Sequence, residues 1–152
     1  MKAFIKVMIF CFISVLVFGA AYAKFAKPED AIKYRKAVMY LIAQHFKPMG
    51  AAVQGKADYD KESFSKDSDV VAMLSSLPWE ASMEPGSDKG DTTLSPAVFK
   101  NKAEFMQAAK SFEGDSAKLA EIAKGGDLGA IKAQFGVVAQ NCKSCHQQFR
   151  SK

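Results

Sequence analysis

Residues 127–150 read DLGAIKAQFGVVAQNCKSCHQQFR. Their apolar positions, Leu128, Ile131, Phe135, Val138, Cys142, Cys145 and Phe149, step 3,4,3,4,3,4 along the chain. That is one face of an α-helix, since a 3.6-residue turn returns to the same side at three and four residues. Asp127 in front of the run supplies an N-cap, and Gly125-Gly126 before it ends whatever precedes. The same stretch carries two cysteines three apart, with a histidine directly behind the second. Both cysteines continue the apolar face, so their sulfurs point inward. His146 stands one turn beyond Cys142 on nearly the same side.

Working outward, the helical period recurs. Ile32, Arg35, Met39, Ile42, Phe46, Met49 and Val53 repeat the 3,4 alternation. Pro28, Glu29 and Asp30 suit a first helical turn, Gly55 suits a stop, and Pro48 is expected to bend the last turns. A second helix is expected over Lys61–Leu77, with Phe64, Val71, Leu74 and Leu77 inward. Pro78 to Pro96 contains Pro85, Gly86, Ser87 and Gly90 and reads as a long loop. A third helix is expected from Pro96 to Lys124, with Phe105, Ala109, Phe112, Leu119 and Ala123 inward and Gly114-Asp115 as a candidate interruption. No repeat, low-complexity tract or strand-like alternation occurs. Four amphipathic helices predict an all-α, antiparallel four-helix bundle.

The first 23 residues stand apart. Lys2 and Lys6 precede an apolar run, Val7–Phe18, and Ala21-Tyr22-Ala23 forms a small-residue cleavage signal. The run is shorter than the roughly 20 residues that span a bilayer. Residues 1–23 are therefore read as a secretory signal peptide, with Cys11 an apolar filler within it and a single domain over residues 24–152. The +5 formal charge falls by two lysines on cleavage, leaving basic and acidic residues intermixed. This excludes a nucleic-acid footprint, and no membrane association is expected of the mature chain.

Cleavage leaves Cys142 and Cys145 as the cysteines of an exported protein. A disulfide between them would close a tiny loop, and stabilisation grows with loop length. A thioredoxin-like pair would sit at a helix N-terminus, where the dipole lowers a thiol pKa; here it ends a helix. Structural zinc needs four ligands, and His45 is the other histidine available. Cys-x-x-Cys-His is also the attachment signature of haem c, with two thioethers to the porphyrin edge and the histidine on iron. Export, together with both mature cysteines lying inside the motif, favours this last reading. Phe46, Phe105, Phe112, Phe135, Met39 and Met49 would fill irregular space around a flat ring, and Trp79 would pack or close one pocket edge. Arg35 on an apolar stripe needs a partner, such as a haem propionate, unless it snorkels outward. Met39, one turn further, either ligates iron from the other side or leaves that position open.

The segments AKPEDAIKYRKAVM (26–39), LSSLPW (74–79), the Gly-rich loop and CKSCHQQFR (142–150) closely resemble cytochrome c′, the class II c-type cytochromes. The likeness covers nearly the whole mature chain. Cytochrome c′ is itself a standard up-down-up-down bundle, so that topology follows from the resemblance. It implies thioethers at Cys142 and Cys145, His146 as the solvent-side axial ligand, and haem contacts at Arg35, Lys36 and Asp91. Arg150 would lie beside the proximal histidine. Met39 would occupy the distal position, where family members often have leucine and low-spin relatives a ligating methionine. The Tyr-Arg and Leu-Pro-Trp segments favour the high-spin, five-coordinate branch. The resemblance further implies a periplasmic homodimer, usually paired through the first two helices. It would bind nitric oxide or carbon monoxide for scavenging or sensing and exchange electrons with a redox partner. The alternative is a low-spin electron carrier with His146 and Met39 both on iron. A peroxidase-like enzyme would need a distal acid-base group; His45 lies nearly two turns from Met39, so no enzymatic activity is expected.

Overall fold

The computed structural model describes residues 24–151; the signal-peptide reading falls on residues outside that range. Six helices occur among the described residues: α1 (Pro28–Val53), α2 (Lys61–Leu74), α3 (Pro78–Met83), α4 (Ala97–Lys100), α5 (Lys102–Gly125) and α6 (Leu128–Phe149). The long ones, α1, α2, α5 and α6, form the expected antiparallel four-helix bundle. α1 packs on α2, α2 on α5, α5 on α6, and α6 returns to α1. No helix of the described residues is long and apolar enough to cross a membrane.

Local chemistry sets the helix ends. Pro28 opens α1 with Glu29 and Asp30 in the first turn. Gly55 closes it at φ +70°, a left-handed conformation that glycine adopts without a Cβ penalty. Pro48 lies within α1, which continues through Val53. Asp60 caps α2 by accepting from the Ser63 amide at 2.7 Å, and this bond holds its carboxyl pKa below the usual value. Asp127 caps α6 through the amides of Gly129 (2.9 Å) and Ala130 (3.3 Å).

Three features differ from the sequence expectation. α2 ends at Leu74 rather than Leu77, because the Pro78 ring would crowd the Leu74 carbonyl in a continuous helix. Pro78 instead starts the short helix α3 where a loop is expected, as suits a residue lacking only a donor that the first turn leaves orphaned. Asn101, at φ −115° and ψ 47°, breaks the third expected helix into α4 and α5. α5 then runs unbroken through Gly114-Asp115.

Asp115 is a clamp between α5 and α6. Its Oδ2 accepts from Asn141 Nδ2 at 2.7 Å, while Gln134 Nε2 donates to its carbonyl (3.1 Å) and to Oδ1 (3.3 Å). Truncation at Asp115 keeps the backbone carbonyl for buried Gln134 but removes its second acceptor, Oδ1, and leaves the half-buried Asn141 amide without Oδ2. Asp115→Ala is expected to lower stability by about 1–3 kcal/mol. A urea titration should show a lower midpoint at an unchanged slope. Asp115→Asn, which keeps one acceptor oxygen, should lose less.

Candidate cofactor site

One end of the bundle gathers the residues that the sequence singles out. The last two turns of α6 hold Cys142 and Cys145 half-buried against the hydrophobic core, continuing the face of buried Ile131, Phe135 and Val138. No disulfide joins them. Burial pushes the Cys142 thiol up to about 11 and raises Cys145 as well, so both remain protonated at neutral pH. A reactive redox pair needs the opposite shift. Among the described residues no three His, Cys, Asp or Glu side chains converge as a metal site. His146 is exposed as a residue, and its pKa is lowered by partial desolvation of the ring and then by the positive charge of Arg150.

The aromatic residues lead to the same place. Trp79 on α3 meets Phe105 edge-on at 5.8 Å and Phe112 at 6.0 Å, and Phe105 meets Phe149, one turn beyond Cys145, at 5.2 Å. Trp79 is only 7% exposed, yet its indole Nε1 is buried with no hydrogen-bond partner. A native interior rarely leaves such a donor unused. A carboxylate-bearing cofactor fits here, because it brings an acceptor into an aromatic surround. Phe46 and Phe135, by contrast, stack on one another at 4.3 Å.

Arg35 does not snorkel: it is 6% exposed. Its terminal nitrogens donate to the Ala81 carbonyl (2.9 Å), the Ser87 hydroxyl (3.3 Å), the Ser87 carbonyl (2.9 Å) and the Thr92 hydroxyl (2.7 Å). These partners come from α3 and from the loop that follows it. Nε makes no hydrogen bond among the described residues. Desolvation lowers the Arg35 pKa, but a guanidinium remains charged. Lys36 and Asp91 pair at 2.7 Å on the exposed rim. Met39 lies one turn beyond Arg35, half-buried against the core. Arg150 Nε donates to the Thr93 hydroxyl at 3.2 Å. His45, away from these residues in the chain pattern, pairs through Nδ1 with Asp67 Oδ1 at 2.8 Å.

The sequence reading missed Ser87, Thr92 and Thr93. The run Asp91-Thr92-Thr93 within a Gly-rich loop offered polar side chains but no clue to their partners more than fifty residues away.

The profile of the family described as Cytochrome C′ matches residues 30–150, nearly all of the described chain. This chain belongs to the cytochrome c′ family. Cytochrome c′ of Alcaligenes xylosoxydans xylosoxydans is 40% identical over 129 residues, spanning 85% of this chain and 99% of the relative. The Rubrivivax gelatinosus protein is 42% identical over 130 residues, spanning 85% and 100%. A solved cytochrome c prime from Shewanella frigidimarina is 40% identical and superposes with a TM-score of 0.82 over 85% of this chain and 100% of its own. Variants of the Alcaligenes xylosoxidans protein have been solved as a nitric oxide complex and with carbon monoxide bound. Each is 40% identical with a TM-score of 0.77, over 85% of this chain and 99% or 100% of that one, respectively. Cytochrome c′ proteins carry covalently bound haem c.

Proposed function

We propose that this cytochrome c′ is an exported, five-coordinate haem c protein that binds nitric oxide or carbon monoxide and scavenges or senses them. The observation that carries the reading is the end of α6. There Cys142 and Cys145 lie half-buried on the inward stripe and are followed at once by His146. Bound there, haem supplies an iron centre that takes diatomic ligands and one electron.

The chain's own residues set what that centre can do. Cys142 and Cys145 would tether it, and His146 would ligate its iron. Trp79 Nε1 offers the buried donor for a carboxylate, and Arg35 stiffens the neighbouring loop. Lys36 and Asp91 close the rim by pairing with one another. Met39 would crowd the iron with an apolar side chain that donates no hydrogen bond, which would disfavour bound dioxygen relative to carbon monoxide. Among the residues assigned here, no acid-base group faces that side, so the role is binding and electron exchange rather than catalysis. The gas complexes of the Alcaligenes xylosoxidans variants support this reading.

Cleavage after Ala23 places the mature chain, beginning at Lys24, in the periplasm, where a redox partner would exchange electrons with it. A homodimer through α1 and α2 fits the large apolar side chains exposed there, Tyr40 at 63% and Met73 at 72%.

The test is the ferrous optical spectrum with and without carbon monoxide. A high-spin spectrum that changes on adding the gas is expected. Sharp low-spin bands that ignore it would sink gas binding and leave the alternative, an electron carrier with His146 and Met39 both on iron.

A further inference from the structure

The segment Asp91–Ser95 is stitched at both ends. At one end the Thr92 hydroxyl holds Arg35 and Asp91 holds Lys36, both on α1. At the other end, Leu94 forms an isolated antiparallel bridge with Arg150. The Ser95 amide donates to the Phe149 carbonyl at 2.9 Å, and the Ser151 amide donates to the Thr93 carbonyl at 2.8 Å. The residues that follow α6 are thus fixed by backbone pairing. Arg150 is also tied to α6 by its amide, which donates to the His146 carbonyl at 3.3 Å. Its backbone is therefore set, and the remaining freedom is that of an exposed, long side chain. The Thr93 hydroxyl removes part of that freedom by accepting from Nε at 3.2 Å. Arg150 is the C-cap of α6, four residues after His146, so a side chain held at Thr93 keeps its charge at that end of the helix.

We infer that Thr93 is a positioning residue for the His146 side of the site: it holds the Arg150 cation where it raises the reduction potential of the bound group. The inference rests on the haem reading above. One electron, supplied by an electrode or a reducing dye, lowers the charge at the His146 end by one, and no atom or proton need move. A cation fixed beside that end opposes the more positive, oxidised state and so favours the reduced one. A wandering cation does so less, because the interaction falls with distance and is screened by salt.

The experiment is a potentiometric titration of the haem-loaded protein and of Thr93→Val, Thr93→Ser, Arg150→Gln and the Thr93→Val/Arg150→Gln pair. Thr93→Val keeps the shape and removes the acceptor; Thr93→Ser keeps the acceptor. At a fixed applied potential, the ferrous-to-ferric ratio should fall about threefold in Arg150→Gln, the size of one exposed charge a few ångströms away. Thr93→Val should show part of that fall, Thr93→Ser close to none, and the pair no more than Arg150→Gln alone. The fall in Thr93→Val should shrink at high salt. Equal ratios across the series would overturn the inference while leaving the haem reading intact. So would an equal effect of Thr93→Val with and without the Arg150 charge. A purified chain carrying no covalent haem overturns both.

Discussion

Met39→Ala is expected to speed carbon monoxide association with the ferrous protein by roughly 10- to 100-fold, with the unliganded spectrum unchanged. Met39 follows buried Arg35 by one turn on the inward stripe of α1 and packs half-buried against the core. Its thioether chain is long and mobile enough to fill the space a ligand must enter. Truncation to alanine opens that space, and a 10- to 100-fold change corresponds to about 1.4–2.7 kcal/mol of barrier. The same truncation should cost about 1–3 kcal/mol of stability, less than for a fully buried side chain. Stopped-flow mixing with carbon monoxide measures the first effect. If the substitution instead converts a low-spin spectrum to a high-spin one, Met39 is an iron ligand and the electron-carrier alternative holds.

Arg35→Met is expected to be among the most destabilising single substitutions in the chain, by about 3 kcal/mol. Methionine preserves much of the buried volume but donates nothing. The Ala81 and Ser87 carbonyls and the Ser87 and Thr92 hydroxyls would lose their charged donor together. Recovered desolvation energy offsets some of this loss, which keeps the figure below the sum of four separate bonds. For a domain of this size the midpoint of thermal unfolding should fall by about 10 °C. Arg35→Lys should lie between, because an ammonium cannot reproduce the planar fork. Lys36→Ala provides the contrast. Its ion pair with Asp91 is fully on the surface, and such pairs contribute at most about 1 kcal/mol. Two adjacent basic residues, both bonded to the same loop, thus differ several-fold in worth because one is buried.

The residues that sequence made legible are those whose meaning is local. The 3,4 spacing located α1 and α6, Asp127 and Gly55 marked their ends, and Cys142-Lys143-Ser144-Cys145-His146 carries its chemistry within five positions. Pro78 is legible as a break but not as a helix start, because the residues after it, Trp79 to Met83, have no periodicity long enough to reveal one and a half helical turns. Asp115 looked like a helix breaker because aspartate and glycine are weak helix formers, and the amides on α6 that reward it lie 19 and 26 residues away. Arg35 was legible as a charge needing a partner, though not as the anchor of residues 81–92. That requires knowing how the loop returns to α1, which no local pattern encodes. The pairing of Lys36 with Asp91 and of Arg150 with Thr93 depends on the same return.

The most direct measurement is peptide mapping of the protein purified from the periplasm, with mass and optical spectrum recorded on the same sample. The expected result is a mature chain beginning at Lys24 that carries one haem on the peptide containing Cys142 and Cys145, with a ferrous spectrum that shifts on adding carbon monoxide. A chain whose two cysteines are recovered as free thiols, or joined to one another, would contradict it.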